Sequence, residues 1–157
     1  MIKFIKYKGT DINYSDINGD TAIHYCSETG KISTLQLLVQ KGIDIHRTDV
    51  DGDNALHIAS LNGRLECMTF LIENKADVNC LNHRGETPVA YALVKKHYNA
   101  VRILIQNGAS IKKDARKSGT SPLLLACKIC DYKTLKMILS QKVSYNIIFK
   151  ESRTMLM

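Results

Sequence analysis

The chain has 157 residues, 45% of them hydrophobic, with seven Tyr, three Phe and no Trp, a composition that excludes a disordered polypeptide and points to an aliphatic core. Its net charge of +7 is unevenly placed: residues 16–81 hold five Lys/Arg against ten Asp/Glu, a net of −5, whereas residues 82–157 hold fourteen against four, a net of +10. No apolar run nears the ~20 residues of a spanning helix, Met1 to Lys6 interleaves charged and apolar residues unlike a cleavable signal, and an odd count of five cysteines fits a reducing compartment better than a disulfide framework.

In chain order, the segment from Phe4 to Asn13 has the register of a closing half-unit, because Gly9 stands 33 residues before Gly42. The first full unit opens with Gly19-Asp20-Thr21-Ala22-Ile23-His24, where the Thr21 hydroxyl is placed to cap a helix that stops near Gly30. Leu35, Leu37, Leu38 and Val39 then predict a second helix, closed by Gly42-Ile43-Asp44-Ile45-His46. The pattern returns 33 residues later as Gly52-Asp53-Asn54-Ala55-Leu56-His57, a stop at Gly63, the apolar set Met68, Phe70, Leu71 and Ile72, and the tail Lys75-Ala76-Asp77-Val78-Asn79. It returns again as Gly85-Glu86-Thr87-Pro88-Val89-Ala90, with Val101, Ile103, Leu104 and Ile105 and the tail Gly108-Ala109-Ser110-Ile111-Lys112.

A fourth copy, Gly119-Thr120-Ser121-Pro122-Leu123-Leu124, follows after 34 residues, and Arg153 to Met157 has the register of a fifth opening. Pro88 and Pro122 fall at the first helical position, where a missing N–H is harmless. Lys75 takes the place held by Gly42 and Gly108, while Lys96 and Cys130 take that of Gly30 and Gly63. A left-handed backbone at such a residue costs roughly 1 kcal/mol relative to glycine. Between units, the Asp-x-x-Gly turns predict a protruding hairpin-like loop.

Asn54-Ala55-Leu56-His57-Ile58-Ala59 resembles the Thr-Pro-Leu-His-x-Ala signature of the ankyrin repeat, and the other copies match it in part over roughly residues 16–146. The resemblance implies an all-α fold, an ankyrin-repeat α-solenoid of helix–loop–helix units with protruding hairpin loops. Its divisions are a partial repeat at 1–15, repeats at 16–48, 49–81 and 82–114, a degenerate repeat at 115–147 and the start of a truncated repeat at 148–157. Terminal repeats ordinarily present a polar outer face. Ile147, Ile148, Phe149, Met155 and Leu156 are apolar, so the expectation is a piece of a longer array, or self-association through exposed apolar ends.

Each chemical candidate has a structural counterpart of greater weight. His24 and His57 share one repeat position, where the resemblance implies hydrogen bonding between neighbouring repeats rather than a metal or proton relay. Cys127-Lys128-Ile129-Cys130 has redox or half-zinc spacing but no second pair, and Cys127 reads as the small buried residue that Cys26 also supplies. Asp49, Asp51 and Asp53 alternate as in a calcium loop, but that pattern fails at Asn54 and Ser60, leaving a solvated acidic tip. Leu71 to Asn79 resembles the segment around hydroxylated asparagines of some eukaryotic ankyrin proteins, which implies Asn79 as a modification site in a suitable host. With no phosphate loop, nucleophile elbow or convergent carboxylate pair, no enzyme, metal or cofactor is expected.

The expected function is a non-catalytic scaffold that binds another protein through its concave face and hairpin loops. Candidate partner-binding residues are Asn18, Asp20, Asp51, Asp53, Arg84 and Glu86 at the loop tips, with Tyr25, Glu28, Ile58, Asn62, Tyr91 and Lys95 on the first helices. Two alternatives stand beside it. One is electrostatic binding of nucleic acid or anionic surfaces through Lys112, Lys113, Arg116, Lys117, Lys128, Lys133 and Lys136, weakened by the lack of interleaved aromatics beyond Tyr132. The other is a recruiting arm of a larger enzyme.

Overall fold

The structure is a computed structural model that describes residues 11–111, 121–129 and 132–140. Among them the chain forms eight helices and no strand: α1 (Ala22–Thr29), α2 (Ile32–Gln40), α3 (Ala55–Leu61), α4 (Leu65–Glu73), α5 (Pro88–Val94), α6 (Tyr98–Gln106), α7 (Pro122–Ile129) and α8 (Tyr132–Ser140). The expected half-unit before Asp11, the run Lys112 to Lys117, Cys130, the side chain of Lys133 and the apolar residues from Ile147 onward lie outside the described residues.

Helix starts follow local chemistry. The Thr87 hydroxyl accepts the Ala90 N–H at 3.4 Å and that of Ser121 accepts the Leu124 N–H at 3.2 Å, each just ahead of a proline that opens the helix. Asn54 Oδ1 accepts from Leu56 and His57, both at 3.1 Å. At Thr21 the His24 ring reaches back, its Nδ1 accepting the Thr21 N–H at 3.1 Å. Helix ends bear out the sequence reading at the two substituted turns: Lys75 has φ 72° and Lys96 has φ 60°, left-handed conformations that glycine adopts without a Cβ clash.

The helices stack in two layers. In one, α1 packs on α3, α3 on α5 and α5 on α7; in the other, α2 packs on α4, α4 on α6 and α6 on α8. Between the layers lies one continuous core that includes Ile23, Leu35, Leu38, Leu56, Met68, Leu71, Val89, Leu93 and Leu104. The small residue where adjacent first helices meet is Cys26, then Ala59, Ala92 and Ala126, all with no exposed surface. The expectation for Cys127 is therefore corrected: the 34-residue spacing before the fourth copy places Ala126 in that register, and Cys127 is exposed.

Loops between helix pairs repeat one device. Oδ1 of Asp16 accepts the N–H groups of Asn18 and Asp20, both at 2.9 Å; that of Asp49 accepts from Asp51 and Asp53 at 2.9 and 2.8 Å; that of Asn82 accepts from Arg84 and Glu86 at 3.0 and 2.9 Å. Successive tips are joined by backbone bonds, Val50 N–H to Asn18 O and His83 N–H to Asp51 O, both 2.9 Å. The close approach leaves no room at Gly52, where a Cβ would stand 2.7 Å from the His83 ring.

Candidate functional site

The hairpin tips project side chains that the fold does not enclose. Ile17 is 96% exposed and Val50 63%, and Asn18, Asp51, His83 and Arg84 are exposed beside them. Ile17 and Val50 are not among the polar tip residues expected from the sequence; their signal is an aliphatic residue one place after each turn carboxylate, Asp16 and Asp49. On the first helices, Tyr25, Glu28, Val94 and Lys95 are exposed and Ile58 and Asn62 half-buried. The Tyr25 hydroxyl donates to Asp16 Oδ2 at 2.6 Å, a bond that pushes the phenol up to about 12 and lowers the Asp16 carboxyl.

Five of the candidate residues, Asp51, Asp53, Arg84, Glu86 and Tyr91, converge at the third tip. Asp53, 5% exposed, accepts from Tyr91 Oη at 2.7 Å through Oδ2 and from Asn82 Nδ2 at 2.8 Å through Oδ1. Arg84 donates from Nη2 to the Tyr91 oxygen at 2.6 Å and from Nε to Glu86 Oε2 at 2.9 Å, and its guanidinium lies 3.7 Å from Asp51 and 3.8 Å from Asp53. Tyr91 is 8% exposed; burial first, then its bond to Asp53, raises its pKa and keeps the phenol a donor. The expected solvated acidic tip is thus confined to Asp51, since Asp49 is turned onto its own backbone and Asp53 is enclosed.

His57 lies against this group, its ring edge-on to Tyr91 with centroids 5.7 Å apart. Its Nε2 meets the Glu86 carbonyl oxygen at 3.1 Å, so that nitrogen carries the proton, and Nδ1 accepts the Asn54 N–H at 3.3 Å. Burial lowers the His57 pKa. Cys80 Sγ sits 3.7 Å from His57 Nδ1, a pairing that resembles a thiol nucleophile beside its base. Burial decides against that role: it pushes the Cys80 thiol up to about 11, outweighing the opposite pull of Asn54 Nδ2, which donates to the sulfur at 3.1 Å, so the protonated thiol is favoured near neutrality. His24 lacks the equivalent cross-unit bond, its buried Nε2 having no partner among the described residues.

A family model described as ankyrin repeats, in three copies, matches residues 1–82 and 74–148. The chain belongs to the ankyrin-repeat family. A comparison with curated proteins gives no match. Ankyrin repeats are generally protein–protein interaction modules and typically non-catalytic, in keeping with a site made of loop tips and a helix face. In this ankyrin-repeat chain the cross-unit histidine bond expected from the resemblance is made by His57. Asn79, the modification candidate, is engaged: its Oδ1 accepts the Ser110 N–H at 2.7 Å and its Nδ2 donates to Gly108 O at 3.1 Å.

Proposed function

We propose that the chain binds another protein along the ridge of hairpin tips and the adjoining face of the first helices. The observation that carries this reading is the pair Ile17 and Val50, aliphatic side chains held in solvent on loops tied together by the Val50 N–H to Asn18 O bond. Apolar surface on a rigid, exposed support is the usual mark of a recognition patch. Asn18, Tyr25, Glu28, Asp51, Asn62, Arg84 and Lys95 supply polar and aromatic contacts around it, and Ile58 adds an aliphatic one. Asp53, Glu86 and Tyr91 act from behind, fixing the tip through Arg84, while half-buried Asp20 lines its base. Binding is by surface complementarity, with no chemical step.

A photo-crosslinking residue placed at Val50 in the native cell should capture a protein, and alanine at Ile17, Val50 and Asp51 together should weaken that complex roughly tenfold or more. Capture unaffected by those changes overturns the tip reading. Recovery of nucleic acid instead, with affinity falling steeply with salt and lost on neutralising Lys112, Lys113, Arg116 and Lys117, replaces it by electrostatic binding through the basic half.

A further inference from the structure

The second-helix layer carries a different feature. Between α2 and α4 runs an open groove of about 520 Å³. Its floor is Ile32, Leu65 and Phe70, each only partly buried although packed on the core. Thr69 lines it from α4, its hydroxyl donating to the Leu65 carbonyl at 2.9 Å, and Gln36 lines it from α2. Glu66 and Glu73 line it from α4, both exposed, and neither carboxylate meets a cation among the described residues. Seven residues apart on one helix, they share a face at an axial separation of roughly 10 Å.

This combination is peculiar to α4. One repeat further on, Glu66, Thr69 and Glu73 are replaced by Asn99, Arg102 and Gln106; one repeat back, Ser33, Gln36 and Gln40 stand there. The flanking helices therefore offer neutral or basic groups where α4 offers two carboxylates around an apolar floor.

We infer that the α2–α4 groove is a second docking surface, distinct from the tip ridge, for an amphipathic basic helix of a partner protein that sets an apolar side chain over Phe70 and Leu65 between two Lys or Arg residues about two turns apart. Charge complementarity selects the cations, because an acidic or neutral helix would leave Glu66 and Glu73 facing an apolar or like-charged surface. Spacing selects the helix, because residues seven apart recur on one helical face at the separation of the two carboxylates.

The test uses two capped helical peptides with the same apolar positions, one carrying Lys at two sites seven apart and the other Glu at those sites, titrated by fluorescence anisotropy against the full chain at low salt. The Lys peptide should bind and the Glu peptide should not. The double change Glu66→Lys and Glu73→Lys, at exposed positions that leave the core intact, should weaken the Lys peptide roughly tenfold and give the Glu peptide measurable affinity. Thr69→Arg, which copies the residue α6 holds at that place, should weaken the Lys peptide through steric filling and added charge. Equal binding of the Lys peptide to the parent and the charge-reversed chain would place it elsewhere, for instance at the acidic tips, and overturn the assignment. So would absence of binding at roughly millimolar peptide, or a dimer in sedimentation that Glu66→Lys dissolves, which would make the occupant a second copy of the chain.

Discussion

At the scale of single residues, the informative positions are those where the repeat's preferred residue is missing. Lys75 and Lys96 hold left-handed backbone, at φ 72° and 60°, where the equivalent turns among the described residues use Gly30, Gly42, Gly63 and Gly108. Both side chains are exposed, so nothing in packing offsets the Cβ clash. Lys75→Gly and Lys96→Gly should each stabilise the fold by about 1 kcal/mol, read as a raised midpoint in urea at unchanged slope. An unchanged or lowered midpoint would refute the strain. His57 supplies the pH dependence. Burial holds its pKa below the ordinary 6.5, so below that pH the unfolded chain takes up a proton that the folded chain resists. Its contribution is therefore complete above about pH 6.5 and is lost as pH falls from there through the folded-state value. Urea midpoints should drop across that window, and His57→Gln should flatten the drop; an equal slope in the variant would assign it to other groups.

At the scale of elements, the helices were legible because each rests on local signals: a capping hydroxyl or amide, a proline at the first turn, apolar residues at helical spacing, and a turn residue at a fixed offset. The buried group around Asp53 was not legible as such. Asp53 and Tyr91 are separated by 38 residues and Asp53 and Asn82 by 29, so only the stacking of one loop on the next brings them together. Asp53 and Tyr91, each taken alone, have the pattern of exposed recognition side chains, and burial reverses their meaning, while nothing local distinguishes Asn82. Tyr91→Phe should cost about 1–3 kcal/mol, because it removes one of the two hydrogen-bond donors, with Asn82, of a buried carboxylate. Tyr25→Phe deletes a bond of similar length to Asp16 but on the exposed surface, and should be close to neutral. Similar losses from the two changes would show that burial is not what decides. The tail segments offer a gain instead. Asn13 Oδ1 accepts the Asp44 N–H at 2.8 Å and Asn79 Oδ1 accepts that of Ser110 at 2.7 Å, each reaching the following tail. His46 occupies the position between them, with the same local turn, its N–H bound to Asp44 Oδ1 at 2.9 Å. His46→Asn should complete the series toward Asp77 and raise stability by roughly 1 kcal/mol, again as a shifted urea midpoint.

At the scale of the whole molecule, stability in such a stack is approximately a sum over units and their nearest-neighbour contacts, so unequal contacts make unequal cooperativity. The α3–α4 pair is tied to the α5–α6 pair by the tip bond His83 N–H to Asp51 O, by the enclosed Asp53, Tyr91 and Asn82, by His57 on the Glu86 carbonyl, and by His97 Nε2 on Leu61 O at 3.1 Å. The α1–α2 pair meets the α3–α4 pair through the tip bond Val50 N–H to Asn18 O and Arg64 Nε to Glu28 O at 2.9 Å, while the His24 Nε2 that would match His57 is unpaired among the described residues. Both tip amides sit on protruding loops and make bonds of equal length, so local exposure alone predicts equal and fast hydrogen exchange. Coupling predicts otherwise: the His83 amide opens only when a buried polar group is broken, whereas the Val50 amide opens with the more weakly tied first pair. Native-state exchange should therefore find both amides protected, His83 the slower of the two, and Tyr91→Phe should accelerate His83 while leaving Val50 unchanged. Equal rates in the parent chain, or equal acceleration of both amides, would mean that the stack opens as one unit and that the enclosed group adds no cooperativity of its own.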